Sequence, residues 1–197
     1  RGMVEFNGEY LFGSLDGLLR FDPTNDTWLT RWNPNNGGMP SSGDEDVYTV
    51  NVVGDDLWVG TYAQNGWNTN SDIHIKNGTT GQWQSIAAGS GSVPSGYPAD
   101  IGECAGIVHV AMGNLGWWAP GGVARYDLSS NSWIGDFRAS GGEIDNDDVR
   151  AVSCDQANEI VYFGYDTDGI GIGRYIYGTQ NQALAPIDAG DGISEEA

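Results

Sequence analysis

The sequence predicts an all-β repeat protein, on three observations. Helix formers at 3.6-residue spacing are missing, while short β-branched and aromatic runs alternate with Gly, Asn, Asp and Pro. The 197 residues hold 31 Gly, 8 Trp and 9 Tyr. A short apolar run ending in a small residue recurs as YLFGS, LWVGT, VHVAM and VYFGY, placing Gly13, Gly60, Ala111 and Gly164 about 50 residues apart. A period of that length marks a repeat architecture.

Three further markers follow in the same order. The second reads LLRFD (Leu18 to Asp22), DIHIKN (Asp72 to Asn77), VARYD (Val123 to Asp127) and IGRYI (Ile172 to Ile176). The third runs from an Asp or Asn to a Trp six positions on, at Trp28, Trp83 and Trp133; the fourth copy has Gln182 where Trp is expected. The last marker is the loop GMPSSGDEDV, SVPSGYPADI, GEIDNDDV or DGISEE.

Each unit converts to four strands. DVYTVNVV alternates as strand A, Gly54-Asp55-Asp56 turns the chain, and LWVGT is strand B. The second marker is strand C. Its closing Asp or Asn can hydrogen-bond the turning backbone, and the Trp opens strand D. Four antiparallel strands per repeat of this length define a β-propeller blade, with a sandwich or solenoid of the same strands as the architectural rival. The expected blades are 3–43, 44–97, 98–146 and 147–197, one propeller region over 1–197. The strand-B Gly is expected to permit close approach of a neighbouring backbone, and Trp28, Trp83 and Trp133 to fill the gaps between blades.

At these markers the sequence resembles the two-component-regulator propeller repeats of sensor ectodomains. LWVGT with Gly60 and Thr61, GLLRFDP from Gly17 to Pro23, and the loops Gly38-Met39-Pro40-Ser41 and Gly192-Ile193-Ser194 carry the resemblance. GGVARYDLSSNSW, from Gly121 to Trp133, is similar to a kelch repeat, although a single Gly or Ala stands where kelch strands carry a pair. The resemblance implies a propeller usually closed by more than four blades, so the chain is expected to be part of a larger one. Open ends would expose sheet faces and favour self-association.

A net charge of −19 excludes partners bound through phosphates, so neither nucleic acid nor anionic lipid is expected. No run of about 20 apolar residues exists to insert in a membrane. Cys104 and Cys154 both fall in strand A of adjacent blades and are either a disulfide or two buried thiols. An extracellular or periplasmic location is expected, with no leader visible.

Up-and-down strands send the B–C and D–A loops to one blade face and the A–B and C–D loops to the other. The B–C/D–A face collects 16 of the 27 carboxylates and two long B–C insertions, YAQNGWNTNS and GNLGWWAPG. Tyr62, Trp67, Trp117, Trp118 and Tyr97 on that face are the candidate ligand-binding residues: flat aromatics beside carboxylates and amides suit a sugar. The recurring Asp46, Asp100 and Asp148 are expected to be structural, since each stands at the entrance to strand A. Asp166 and Asp168 offer alternating oxygens for calcium, the one cofactor to consider. His74 and His109 lie inside strands and are expected to be packing or edge residues rather than bases. No catalytic residue is assigned. The expected function is non-catalytic binding of a glycan or protein, the alternative a glycoside hydrolase or lyase built on paired carboxylates.

Overall fold

The computed structural model describes residues 2–40, 46–65, 68–115, 119–167, 170–178 and 180–188, with only the backbone of 63–70. Four antiparallel sheets of four strands run in chain order, one per repeat. The first holds β1 (Met3–Phe6), β2 (Glu9–Ser14), β3 (Gly17–Asp22) and β4 (Thr27–Trp32). The second holds β5 (Val47–Val53), β6 (Asp56–Asn65), β7 (Asn68–Lys76) and β8 (Trp83–Ala87). The third holds β9 (Tyr97–Cys104), β10 (Ile107–Gly113), β11 (Gly122–Asp127) and β12 (Ser132–Phe137). The fourth holds β13 (Val149–Asp155), β14 (Ile160–Tyr165), β15 (Ile172–Ile176) and β16 (Gln182–Ile187). Tyr97 therefore opens the third sheet. The stretch from Gly121 to Trp133 forms β11 and the turn into β12.

Two compact units divide the chain, Arg1–Ala88 with blades 1 and 2 and Gly89–Ala197 with blades 3 and 4. In the first, Phe6, Leu11 and Leu18 of blade 1 pack against Val47, Val50, Leu57 and Val59 of blade 2. In the second, Ala111, Val123 and Phe137 of blade 3 pack against Val149, Val161, Phe163 and Tyr175 of blade 4. Each D–A loop described contributes an apolar plug: Met39, Val93 and Ile144 are all buried. At the strand-B glycine of blade 1, a Cβ on Gly13 would stand 3.0 Å from Val47 Cγ1 and 3.3 Å from Val47 O, so a small residue there lets blade 2 approach.

The C–D turns follow the expected chemistry. Asp22 accepts from the Thr24 amide at 2.8 Å, Asn77 from Thr80 at 2.7 Å and Asp127 from Ser129 at 2.8 Å. Four residues after each comes a left-handed residue, Asp26, Gly81 or Asn131, that leads the chain into strand D. Side-chain hydrogen bonds from Asn25 to Asp22 and from Ser129 to Asp127, helped by the turn amides, hold both carboxyls below their ordinary range.

The structure corrects two tryptophan expectations. Trp28 fills no gap between blades: it is 62% exposed and packs on Phe12 and Phe21 of its own sheet. Trp83 does reach the neighbouring blade, where its ring meets Trp32 edge-on at 6.2 Å. In blade 4 the register partner of Tyr175 is Ala183, as Trp133 is of Tyr126, so the missing Trp is replaced by Ala183, one position beyond Gln182. The Tyr62 to Ser71 insertion is also no irregular loop. It lengthens the β6–β7 hairpin, which stays paired from Tyr62↔Ser71 out to Asn65↔Asn68.

Cys104 and Cys154 form a disulfide across blades 3 and 4, which settles the choice left open by the sequence. The strand-A carboxylate of Asp100 strengthens the same seam by accepting from the Val152 amide at 2.9 Å. Closing a loop of 50 residues constrains the unfolded chain, and replacing both cysteines by Ala should lower the unfolding free energy by about 4 kcal/mol in urea titrations. Phe163→Ala, at a fully buried ring between the two blades, should cost about 3–5 kcal/mol in the same measurement.

Candidate functional site

The B–C/D–A side of the second unit is organised around Arg150, on β13 just after the D–A loop. Its Nε lies 2.7 Å from Asp148 Oδ1 and its Nη2 lies 3.0 Å from Asp166 Oδ2. The same guanidinium lies over the Tyr97 ring, 5.0 Å from the centroid. Tyr97 in turn lies against Gly113 at the end of β10, where an added Cβ would meet the ring at 2.6 Å. One cation thus brings together Tyr97, a predicted ligand residue, and Asp166, a predicted calcium ligand. Sequence reasoning passed over Arg150. Its signal was there: a single basic residue following Asp145, Asp147 and Asp148 in a chain of net charge −19.

The acids of this face are largely bonded into the scaffold. Asp148 accepts from the Asn114 amide at 2.6 Å, tying the blade-3 B–C loop to blade 4, and burial pushes its carboxyl up while that amide opposes the rise and Asp166 adds to it. Asp147 accepts from the Ala139 amide at 2.7 Å. Asp145 donates its amide to Tyr165 Oη at 3.0 Å, and burial pushes the Tyr165 phenol up to about 12. The structural assignment of Asp100 and Asp148 therefore holds. At the equivalent corner of the first unit, the Asp46 carbonyl accepts from the Tyr62 amide at 2.9 Å.

Tyr62 belongs to the first unit, where it meets Tyr48 edge-on at 5.4 Å at the base of the lengthened hairpin. Trp67, Trp117, Trp118 and Asp168 lie outside the described residues. Among the described residues no three His, Cys, Asp or Glu side chains stand close enough to hold a metal ion. A cleft of about 230 Å³ opens on the other side of the first unit, at the A–B and C–D turns, lined by residues that include Glu5, Phe6, Val52 and Asp55. Sequence reasoning did not single it out, because its lining comes from turns that read as ordinary.

The two histidines are buried packing residues, as expected from their strands. His74 lies between Thr61 Oγ1 at 3.2 Å and Ser85 Oγ at 2.7 Å. His109 bonds Tyr177 Oη and is surrounded by Phe137, Phe163 and Tyr177. Desolvation lowers the first to about 4 and the second, with help from Arg125, to about 3.

The four sheets define the chain as propeller blades. Neither a protein-family model nor any curated protein sequence matches it. Among solved structures it is similar to the extracellular domain of the putative one component system BT4673 from B. thetaiotaomicron, at 18% identity and TM-score 0.63 over 94% of this chain and 22% of that one. The extracellular domain of the putative hybrid two component system BT3049 from the same organism is similar at 16% identity and TM-score 0.61, over 90% of this chain and 22% of that one. PorZ, a bacterial surface component of the type-IX secretion system of Porphyromonas gingivalis, is similar at 15% identity and TM-score 0.58, over 98% of this chain and 27% of that one. At these identities the likeness is one of fold, and the chain spans about a quarter of the length of each.

Both histidines bind protons more readily unfolded, near 6.5, than folded. They are neutral in both states above that pH, and below it the unfolded chain takes up protons that the folded chain refuses. Their share of stability should therefore fall as pH drops from about 6.5 towards 4. Urea unfolding at steps across that window should show a shallower slope for the His74→Gln and His109→Gln variants than for the wild type.

Proposed function

We propose that this chain is a non-catalytic recognition segment of an extracellular or periplasmic sensor ectodomain, binding a glycan or a protein through its B–C/D–A loops. One observation carries the choice of binding over chemistry. Asp147 and Asp148 are both engaged by backbone amides, Asp148 also by Arg150, and Asp166 by the same guanidinium. Glycoside hydrolysis needs two carboxylates poised across a cleft, one to protonate and one to attack or activate water. Carboxylates bonded into the scaffold instead hold loops in place.

Support for a sensing role is the fold shared with extracellular domains of bacterial signalling systems. No helix among the described residues is long and apolar enough to cross a membrane. Support for a glycan is the residue chemistry of the loops. Tyr62 stands at the hairpin base and Tyr97 on the same side of the second unit, and the sequence places Trp67, Trp117 and Trp118 in the B–C insertions of these blades. Stacking on such rings matches sugar C–H faces, with amides and acids beside them for the hydroxyls.

Glycan-array screening followed by calorimetry tests this directly. Tyr62→Ala, Trp67→Ala and Trp117→Ala should each weaken binding about tenfold or more, a loss of roughly 1.4 kcal/mol per anchor, with circular dichroism unchanged. Unchanged affinity in all three would refute the site. Turnover of a polysaccharide by the purified chain would replace binding with catalysis.

A further inference from the structure

The cleft of about 230 Å³ in the first unit is walled by three turns. Asn7 comes from the β1–β2 turn, Gly54 and Asp55 from the β5–β6 turn, and Gly78 and Thr79 from the β7–β8 turn. Two of these walls are fastened together. Asp56 accepts from the Asn77 side chain at 3.1 Å and from the Gly78 amide at 3.0 Å, and a side chain at Gly78 would collide with the Asp55 carbonyl. Phe6 is buried in the core of this unit and Val52 packs against that core, so the fold itself sets the apolar part of the lining.

The polar part of the lining is different in kind. Glu5, Asn7, Asp55 and Thr79 line the cleft, and none of these four side chains has a hydrogen bond or an ion pair within the protein. The acids nearby in the same turns, Asp22 and Asp56, are by contrast bonded to turn amides. No Lys, Arg or His is among the described residues of the lining. Lys76, the single lysine of the chain and two positions before Gly78, is engaged at the blade seam instead. Its Nζ donates to Gly81 O at 2.7 Å and lies 5.0 Å and 4.9 Å from the Trp32 and Trp83 ring centroids. We propose that this cleft binds an organic cation, a primary ammonium or guanidinium group on a short hydrocarbon stem. Two carboxylates without a counter-ion attract the charge in a chain of −19, and Asn7 and Thr79 supply further oxygens for its N–H groups. Phe6 and Val52 give the stem an apolar surface to lie on. The lining does not suit a bare metal ion, since among the described residues no three His, Cys, Asp or Glu side chains stand close enough to hold one.

Amide NMR titration of the whole chain with n-butylammonium chloride reads this out, with n-butanol as the uncharged probe of the same stem. Butylammonium is expected to shift the Asn7, Asp55, Gly78 and Thr79 amides with millimolar affinity that weakens as salt rises, and butanol to bind about tenfold more weakly or less. Asp55→Asn and Glu5→Gln should each weaken butylammonium binding about threefold or more. Glu159→Gln removes the same unit of charge at an exposed turn of the second unit and should leave binding unchanged. All three side chains are exposed, so circular dichroism should match the wild type. N-acetyl-lysine methylamide separates the two sources of the ligand: binding like that of butylammonium assigns the cleft to a lysine of a partner polypeptide, and binding of butylammonium alone assigns it to a free amine. No glycan enters the measurement, so its failure is distinct from failure of the loop site. Absence of saturable butylammonium binding overturns the proposal, as does equal binding of butanol or an equal loss in Glu159→Gln.

Discussion

Each four-stranded sheet of this protein has an apolar face that cannot be left in water without cost. Burial of one face by the next sheet is the constraint on which the rest depends. It explains why strand B holds Leu57 and Val59 in blade 2 and Val161 and Phe163 in blade 4, all fully buried. It explains why residue size matters at Gly13, where one added carbon would press on Val47. Sheets stacked face to face also need fastening along their edge strands, and here the fastening is polar and covalent. The Asp100 carboxylate and the Cys104–Cys154 bond tie the strand-A segments of blades 3 and 4 at two depths.

The loops inherit their geometry from that stack. Arg150 can gather Tyr97, Asp148 and Asp166 only because β9, β13 and β14 come from neighbouring sheets in one packed unit. The consequence for chemistry is restrictive. Carboxylates that would look catalytic in a bare sequence are neutralised or hydrogen-bonded in place. Burial raises the Asp148 carboxyl, yet the group still serves as acceptor for Asn114 and partner for Arg150. The buried histidines follow the same logic, since desolvation keeps them uncharged within an aromatic and hydroxyl setting.

Much of this was legible in the linear chain. Four ordered markers at a period near 50 residues predicted sixteen strands and their pairing into four sheets. Asp22, Asn77 and Asp127 announced turns whose hydrogen bonds the structure displays, because an Asx side chain acts on backbone only two or three residues away. Local rules succeed where the partner is local. They failed for Trp28, whose repeat position suggested burial, because burial depends on whether another sheet lies against that face. They failed for the Tyr62 to Ser71 insertion too: its polar composition read as a loop, whereas continued ladder pairing made it a hairpin arm. Arg150 was missed because a cation's role is set by what lies across the blade seam.

The amino-acid sequence by itself determined the repeat, the strand order, the turn chemistry and the acidic character, since each follows from local pattern or from summed charge. Tertiary structure alone decided that the two cysteines are bonded, that Ala183 takes the vacant Trp position, that Arg150 neutralises Asp148 and Asp166, and that Trp28 faces outward. Those outcomes join residues up to about 50 positions apart, and only the stacking of one sheet upon the next brings such residues within bonding distance.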